Sequence, residues 1–578
     1  VPAIDKAFDY LVPDALGDQV RVGTVVRIEL HGRRVGGWVV ADHVEPATAA
    51  ALRPIAKVTG WGPAADVLEL AEWAAWRWAG RPASLLRTAS ADRAIRALPT
   101  PASRPPRLEV AGGPETLALA ERALGRDGVS VVRLPPGADV LPMVGVAAND
   151  LAATGDLLVL APSLGAASEL ARRLRRSGRP TATMPEHWAA ARAGASIVVG
   201  SRSAAWAPVR RLAGVIVVDE HDEAYQQEQA PTWHARDVVV ERARRAGARC
   251  ILVSPMPTLE AQALVGGEVL AAGREVERGA WPIAEVVDLR HEDPGRGLLT
   301  ERLTRSLRSD ERVVCVLNRK GRSRLLACRT CGEVATCEVC DAVVAQTDDG
   351  QLVCARCGTA RPTICLHCGG TAFKNLRVGV SRLREELEAL AGRPVVDVTA
   401  ATGAVDLETA DVFVGTEAVL HQVTRADTVA FLDLDQELLA PRYRAAEQAL
   451  ALLVRGARLL GGRHRTGGRG RLLLQTRLPE HEVIDAVRLG DPARVSAVEA
   501  SRRTQLRFPP VVAMAVVSGP AAAGFIDALG TPLGVEVLGP SDGTWLLRAP
   551  DHRALADSLA ATPRPPGRLR VEVDPLRI

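Results

Sequence analysis

Short apolar runs alternating with helix-period stretches set the strongest limit on what this chain can fold into. VSVVRL, DLLVLAP, ASIVVGS, GVIVVDE and RCILVSP follow one another between residue 114 and about residue 270, with helices predicted after DLLVLAP as far as Arg176 and through Arg236–Ala246. A continuous apolar run suits a strand covered on both faces, and intervening helices supply the crossovers that parallel pairing needs. RVVCVLN, DVFVGT, VAFLDLD and GRLLLQT repeat the pattern over residues 311–480. Two parallel α/β lobes in tandem are therefore expected, and nucleotides bind at strand ends in this class.

The flanks read differently. FDYLV, QVRVGTVVRIEL and RRVGGWVVA, with glycines between them, predict a small antiparallel barrel or sandwich. A helical stretch from Ala64 to Arg87 carries Trp73, Trp76 and Trp78, a cluster expected in a core rather than a binding site. PTPASRPPRLEVAGG is a Pro-rich linker. VVAMAVVSG, GVEVLG, TWLLRAP and RLRVEVDP predict a mixed α+β tail. The expected division is an N-terminal domain at 1–98, the linker at 99–113, a first lobe at 114–272, a second lobe at 273–327 and 369–480, a cysteine-rich insert at 328–368, and a C-terminal domain at 481–578. No apolar run approaches the roughly 18 residues of a bilayer span, and VPAIDKAFDYLVP lacks a signal-peptide pattern, so a cytoplasmic chain is expected. A formal net charge of +4 over 578 residues permits nucleic acid without demanding it.

Eight of the ten cysteines form four C-x-x-C pairs: Cys328/Cys331, Cys337/Cys340, Cys354/Cys357 and Cys365/Cys368. Such a turn aims two thiolates at one metal, so four pairs make two closed Cys₄ sites, expected to hold two structural Zn²⁺. Five residues separate the first pair from the second and seven the third from the fourth, whereas thirteen separate the second from the third. Only the longest gap leaves room for a hairpin between knuckles. The inner pairs are expected to share one ion and the outer pairs the other. Cys250 and Cys315 read as small core residues.

GVIVVDEHD runs an apolar strand into Asp219, Glu220 and His221, as ATP-driven motors present the carboxylates for Mg²⁺ and the attacking water. The matching phosphate loop is missing. VSVVRL is followed by PPGADVLPMV, in which two prolines remove N–H donors, and the four lysines of the chain (Lys6, Lys57, Lys320, Lys374) leave none between 57 and 320. Arginine's planar head does not replace a compact ammonium among phosphate oxygens. Asp219 and Glu220 are either a remnant Mg²⁺ site or hydrogen-bonding structure.

These segments together resemble the PriA family, the primosomal N-prime proteins of replication restart, nearly end to end. LLVLAPSLG, VVGSRSAAWAPVRRL and GVIVVDEHDEAYQQEQAPTWHARD resemble its motifs Ia, Ib and II with the aromatic-rich loop. VVCVLNRKGRSRLLAC ahead of four C-x-x-C pairs, and VFVGTEAVL before VAFLDLDQELLAPRYRAAEQ, resemble its second lobe; FDYLVP, LRFPP, VLGP and VDP complete the frame. The resemblance implies two RecA-like lobes of superfamily 2 helicase type and an N-terminal domain that captures a 3′ end through Phe8, Asp9 and Tyr10, with Gly32 and Arg53 at the later pocket positions.

Departures from the family pattern fall on the nucleotide motifs. LPPGADVLPMV stands for the phosphate loop, Val253-Ser254-Pro255-Met256 for Gly-Ser-Ala-Thr, and the Lys-Gly after VGTEAVL is absent. Arginine fingers reduce to RLLGGRHRTGGRGR, where Arg465 matches the second and Gly462 stands at the first. The expected function is a DNA-binding assembly platform at forks and 3′ ends, a partner of primosome or replisome proteins, monomeric and without translocation; the alternative is an ATP-dependent 3′→5′ helicase. DNA contacts are expected from stacking on Trp233 and His234 and from the run Arg463, Arg465, Arg469, Arg471.

Overall fold

The structure, a computed structural model, describes residues 6–46, 52–104, 106–293, 297–317, 326–347, 350–354, 356–375, 380–398, 410–461 and 469–578. It divides into two compact units. The first takes in the described residues up to 133, then 139–271 and 503–576; the second takes in 134–138, 272–502 and the last two residues.

In the first unit, β1 (Val25–Leu30), β2 (Arg33–Trp38) and β3 (Lys57–Gly60) form an antiparallel sheet in the order β2-β1-β3. The β1–β2 turn is His31-Gly32, with φ of 50° and 72°, the two left-handed residues that a tight hairpin requires. Gly36 and Gly37 lie inside β2 instead of making a turn, and residues 6–10 have no regular structure, so the predicted FDYLV strand is reduced to an isolated bridge from Leu11 to Pro54. Helices α1 (Ala65–Arg77) and α2 (Pro82–Ala89) follow, and Trp78 is fully buried edge-on to Trp73, ring centroids 5.4 Å apart.

After α3 (Pro114–Leu124) comes a seven-stranded parallel sheet. Its strands are β4 (Val129–Arg133), β5 (Asp156–Leu160), β6 (Thr181–Thr183), β7 (Ile197–Gly200), β8 (Leu212–Val218), β9 (Arg249–Ser254) and β10 (Val269–Leu270), ordered β10-β4-β9-β8-β5-β7-β6. Helices α4 (Leu141–Asp150), α5 (Leu164–Arg176), α6 (Trp188–Ala193), α7 (Ala235–Ala246) and α8 (Leu259–Ala263) lie between strands. α5 shows why: Ser163 caps it by accepting from Ala166 N, and Ala167, Leu170, Ala171 and Leu174 bury one face at helical spacing. β6 and β10 are short edge strands, too brief for periodicity to reveal.

The second unit holds a six-stranded parallel sheet of β11 (Ile283–Asp288), β12 (Val313–Val316), β18 (Val395–Val398), β19 (Val412–Gly415), β20 (Thr428–Phe431) and β21 (Arg471–Thr476), ordered β11-β21-β20-β12-β19-β18. Between β12 and β18 sits the cysteine-rich insert, with β13 (Leu326–Cys328) paired to β17 (Phe373–Asn375) and a meander of β14 (Val344–Gln346), β15 (Gln351–Cys354) and β16 (Ala360–Pro362). Back in the first unit, β22 (Ala513–Ser518), β23 (Glu536–Ser541), β24 (Thr544–Ala549) and β25 (Arg570–Val573) form the antiparallel C-terminal sheet, which shares one apolar core with α1, α2 and the first parallel sheet. Buried Arg77 anchors this packing with a 2.6 Å ion pair to Asp574. Among the described residues no helix is long and apolar enough to cross a membrane.

Just past β20, Asp433 is buried beside Asp435. Asp435 is well paired, accepting from Arg477 N and Thr476 Oγ1, whereas Asp433 accepts only from Gln436 Nε2 (2.8 Å), and its Oδ1 has no partner among the described residues. Burial first, and the neighbouring Asp435 second, push Asp433 up to about 7. An acid whose pKa is raised on folding binds its proton more tightly in the native state, so stability falls as pH rises from about 4 to 7 and is level above that. The thermal unfolding midpoint of this unit is expected to fall across that window, and Asp433→Asn to flatten the slope; an unchanged slope in the variant would show that Asp433 ionises freely.

Candidate functional site

The carboxyl end of β8 brings the DEHD residues into place. Asp219 adopts φ of +55°, a conformation few side-chain-bearing residues take, and this bend turns Glu220 inward. Glu220 is fully buried: one carboxylate oxygen accepts from Thr258 N (2.7 Å), the other from Thr258 Oγ1 (2.9 Å) and Arg236 Nη1 (3.4 Å). Thr258 in turn caps α8. Burial raises the Glu220 pKa, and Arg236 opposes it. Burial also works against the charge on Arg236, but Asp237 and Glu220 outweigh it and hold the guanidinium protonated. Glu220 is thus the counter-ion of a buried arginine and the tether of a helix cap. His221 Nδ1 lies 2.8 Å from Ser254 Oγ, joining the DEHD box to the residue at the Gly-Ser-Ala-Thr position.

Seven residues, 134–140, connect β4 to α4 where a phosphate loop would lie. Pro135 and Pro136 have no N–H, and Ala138 N is spent on Pro135 O (3.0 Å). Asp139 accepts from Leu141 N (3.0 Å) in the first turn of α4 and pairs with Arg173. A helix N-terminus is where a phosphate would be welcomed, and here the chain's own carboxylate takes that position. These residues do not fit a triphosphate. Arg465 and Gly462, at the positions of the arginine fingers, lie outside the described residues, as do Arg463 and Lys320.

At the N-terminal domain the chain brings two of the residues expected in the 3′-end pocket, Tyr10 and Arg53, together at Glu29. Tyr10 Oη donates to Glu29 O (2.9 Å), Arg53 pairs with the Glu29 carboxylate (3.1 Å), and Leu11 N donates to Arg53 O (2.9 Å), which pins the 8–11 segment beside 53–55. Phe8 is 45% exposed, Asp9 is half-buried, and Gly32 stands in the hairpin turn three residues beyond Glu29. Burial raises the Tyr10 phenol, with Arg53 opposing and Glu29 adding to it. Glu29 escaped sequence reasoning because its partner lies 24 residues away.

A groove of about 530 Å³ runs over the first lobe, lined by Ser163, Arg202, Gln227, Gln229 and Trp233 among others. Trp233 is only 4% exposed and meets Trp206 edge-on, centroids 5.5 Å apart. His234 caps α7 by accepting from Arg236 N (3.2 Å). The open stacking face expected of Trp233 is therefore corrected: its ring is held by the core, because an aromatic pair buries more apolar area than an exposed ring keeps, whereas His234 is half-buried. The expected arginine run is corrected in part too. Arg469 donates to the Gly279 carbonyl (2.9 Å) and Arg471 pairs with Glu311 (3.3 Å).

The two thiol clusters are Cys328, Cys331, Cys365 and Cys368, and Cys337, Cys340, Cys354 and Cys357, the pairing expected from the gaps. Nearest Sγ pairs stand 3.5–3.6 Å apart. A tetrahedron with metal–sulfur bonds of about 2.3 Å has edges of about 3.8 Å, so the clusters fit a tetrahedral thiophilic ion. All four knuckles are built alike. The residue after each second cysteine (Gly332, Asp341, Gly358, Gly369) has φ between 56° and 77°. Its N–H then closes on the carbonyl of the first cysteine. Amides also donate to sulfur at Cys328, Cys337 and Cys354 (3.3–3.4 Å), favouring the thiolate a metal needs. The C-x-x-C-G signature was visible at three knuckles; at the fourth, aspartate tolerates the same left-handed turn.

Two parallel α/β lobes, the second interrupted by paired Cys₄ knuckles, together with an N-terminal β-domain, define a multidomain α/β chain with tandem parallel-sheet lobes and a cysteine-rich insert. Residues 1–91 match the 3′DNA-binding domain model of PriA. The chain is 28% identical over 592 residues to the probable replication restart protein PriA of Mycobacterium tuberculosis, covering 94% of this chain and 90% of that one. It is 30% identical over 433 residues to the Treponema pallidum replication restart protein PriA (66% of this chain, 65% of that one) and 29% over 405 residues to that of Bacillus subtilis (64% and 50%). Along nearly its whole length the chain is thus similar to replication restart proteins of the PriA family.

Proposed function

We propose that this protein recognises forked DNA and 3′ ends and serves as a cytoplasmic assembly platform for primosome or replisome proteins, without translocating. The observation that carries this reading is the fate of the two acidic groups: Glu220 is consumed by Arg236 and Thr258, and Asp139 occupies the start of α4. Phosphoryl transfer depends almost entirely on positioning and charge stabilisation, so a first lobe with no lysine, two prolines in its phosphate-loop segment and Glu220 already paired loses that chemistry. The residues around Glu29 are assigned to the 3′ end: Phe8 for the terminal base, Tyr10 and Arg53 for its sugar and phosphate, and Asp9 for the terminal hydroxyl. Two structural Zn²⁺ complete the assignment, one in each Cys₄ cluster.

Purified protein mixed with a forked duplex and Mg-ATP is expected to bind the fork, with preference for a 3′-hydroxyl over a 3′-phosphate end, and to release no phosphate above the DNA-free rate. Phe8→Ala is expected to weaken 3′-end binding roughly tenfold, the scale of one lost base–aromatic contact. DNA-stimulated turnover would establish the helicase alternative.

A further inference from the structure

Within the first unit, the amino-terminal ends of the parallel strands carry a second cluster of chemistry that the fork-binding surfaces do not use. Arg179, in the turn before β6, is 5% exposed, and its guanidinium reaches only neutral groups, Ser177 Oγ at 3.1 Å and Asn149 Oδ1 at 3.5 Å. Burial alone acts on its pKa, lowering it, with no acid to oppose. A buried charge without a counter-ion costs several kcal/mol, and proteins usually remove that cost by pairing or by a bound ion.

Arg179 lines a cavity of about 40 Å³ together with Arg104, Arg107, Asn149 and Ser196. Of the arginines, Arg104 is neutralised by buried Asp156 (3.0 Å). Neither Arg107 nor Arg179 has a carboxylate within ion-pair distance among the described residues. Ser196 holds φ of +63°, and its hydroxyl is enclosed without a hydrogen-bond partner among the described residues. The cavity thus offers two uncompensated guanidinium groups and one idle hydroxyl. Its far wall is the Pro-rich segment read as a linker: Asn149 accepts from Leu108 N (3.2 Å) and donates to Leu108 O (2.7 Å), docking that segment on α4. One water position needs about 10–15 Å³, so the space matches about three to four oxygens and excludes a nucleotide.

We propose that this cavity is a binding site for a compact free oxyanion of the phosphate or sulfate class, held by Arg179 and Arg107 with Ser196 donating, and that the bound anion fastens the 106–110 segment to the first lobe. The site lies at the opposite ends of the strands from Asp219, so its occupancy is separable from the DEHD box and from DNA. Arginine is suited to this role because its planar fork meets two oxygens at once.

The test is thermal unfolding of the full chain in inorganic phosphate against sodium chloride at matched ionic strength, with phosphate binding read directly by ³¹P line broadening. The wild-type midpoint is expected to rise saturably, by roughly 2–4 °C. Arg179→Met, relieved of its unpaired charge, should match or exceed the wild type without phosphate and gain nothing from it. Arg107→Gln, an exposed position, should leave the fold intact and weaken the phosphate response several-fold while fork affinity stays unchanged. Equal rises in wild type and both variants, no rise in the wild type, or an Arg179→Met chain that is folded but weaker without phosphate would each overturn the proposal. So would a parallel loss of fork affinity in Arg107→Gln, which would make the cavity a contact for the DNA backbone.

Discussion

Cys354→Ser is expected to lose one of two bound zinc ions and to melt the β14–β16 meander while both parallel sheets persist. Elemental analysis should read two ions per wild-type chain and one in the variant. The effect is large because structural zinc supplies on the order of 10–16 kcal/mol of apparent binding energy, and in a segment this small that energy is folding energy. The insert's own apolar core is a handful of side chains around Leu326, Val344 and Leu352, and three of the thiols it needs, Cys337, Cys340 and Cys354, are also part of its packing. Chelation should reproduce the variant at both clusters. A wild-type count of one or none would refute the Cys₄ assignment.

The second large effect is Glu220→Gln. In a motor that substitution removes the water-orienting carboxylate and leaves the fold untouched. Here it is expected to destabilise the first unit by about 2–4 kcal/mol, lowering its unfolding midpoint by roughly 4–10 °C. The reason is donor matching. Both oxygens of Glu220 accept from donors, so the amide's NH₂ must face either Thr258 or the Arg236 guanidinium, and that buried arginine keeps only Asp237 as counter-ion. Calorimetry on the variant separates the cases: an unchanged midpoint together with loss of ATP turnover would place Glu220 in a working engine.

Much of this was legible before any coordinates. The nine main strands read as apolar runs because parallel strands are covered on both faces, which removes the polar half of the usual alternation. The thiol pairing followed from gap lengths, since only thirteen residues leave room for a hairpin between knuckles. FDYLVP was misread as a strand, and the edge strands β6 and β10 went unseen, because two or three residues carry no period. Trp233 was expected to stack on bases because a loop sequence shows its ring but not the ring it leans on, here Trp206.

By itself the sequence determined the two-lobed α/β architecture, the metal-binding insert and the missing lysine, all properties of residue type and spacing along one dimension. What only the tertiary structure decided was direction: that Glu220 points into the core, that Asp139 sits at the start of α4, and that Arg179 has no carboxylate to meet. A charge is used or free according to what lies within about 4 Å of it, and those neighbours come from distant parts of the chain that only folding assembles.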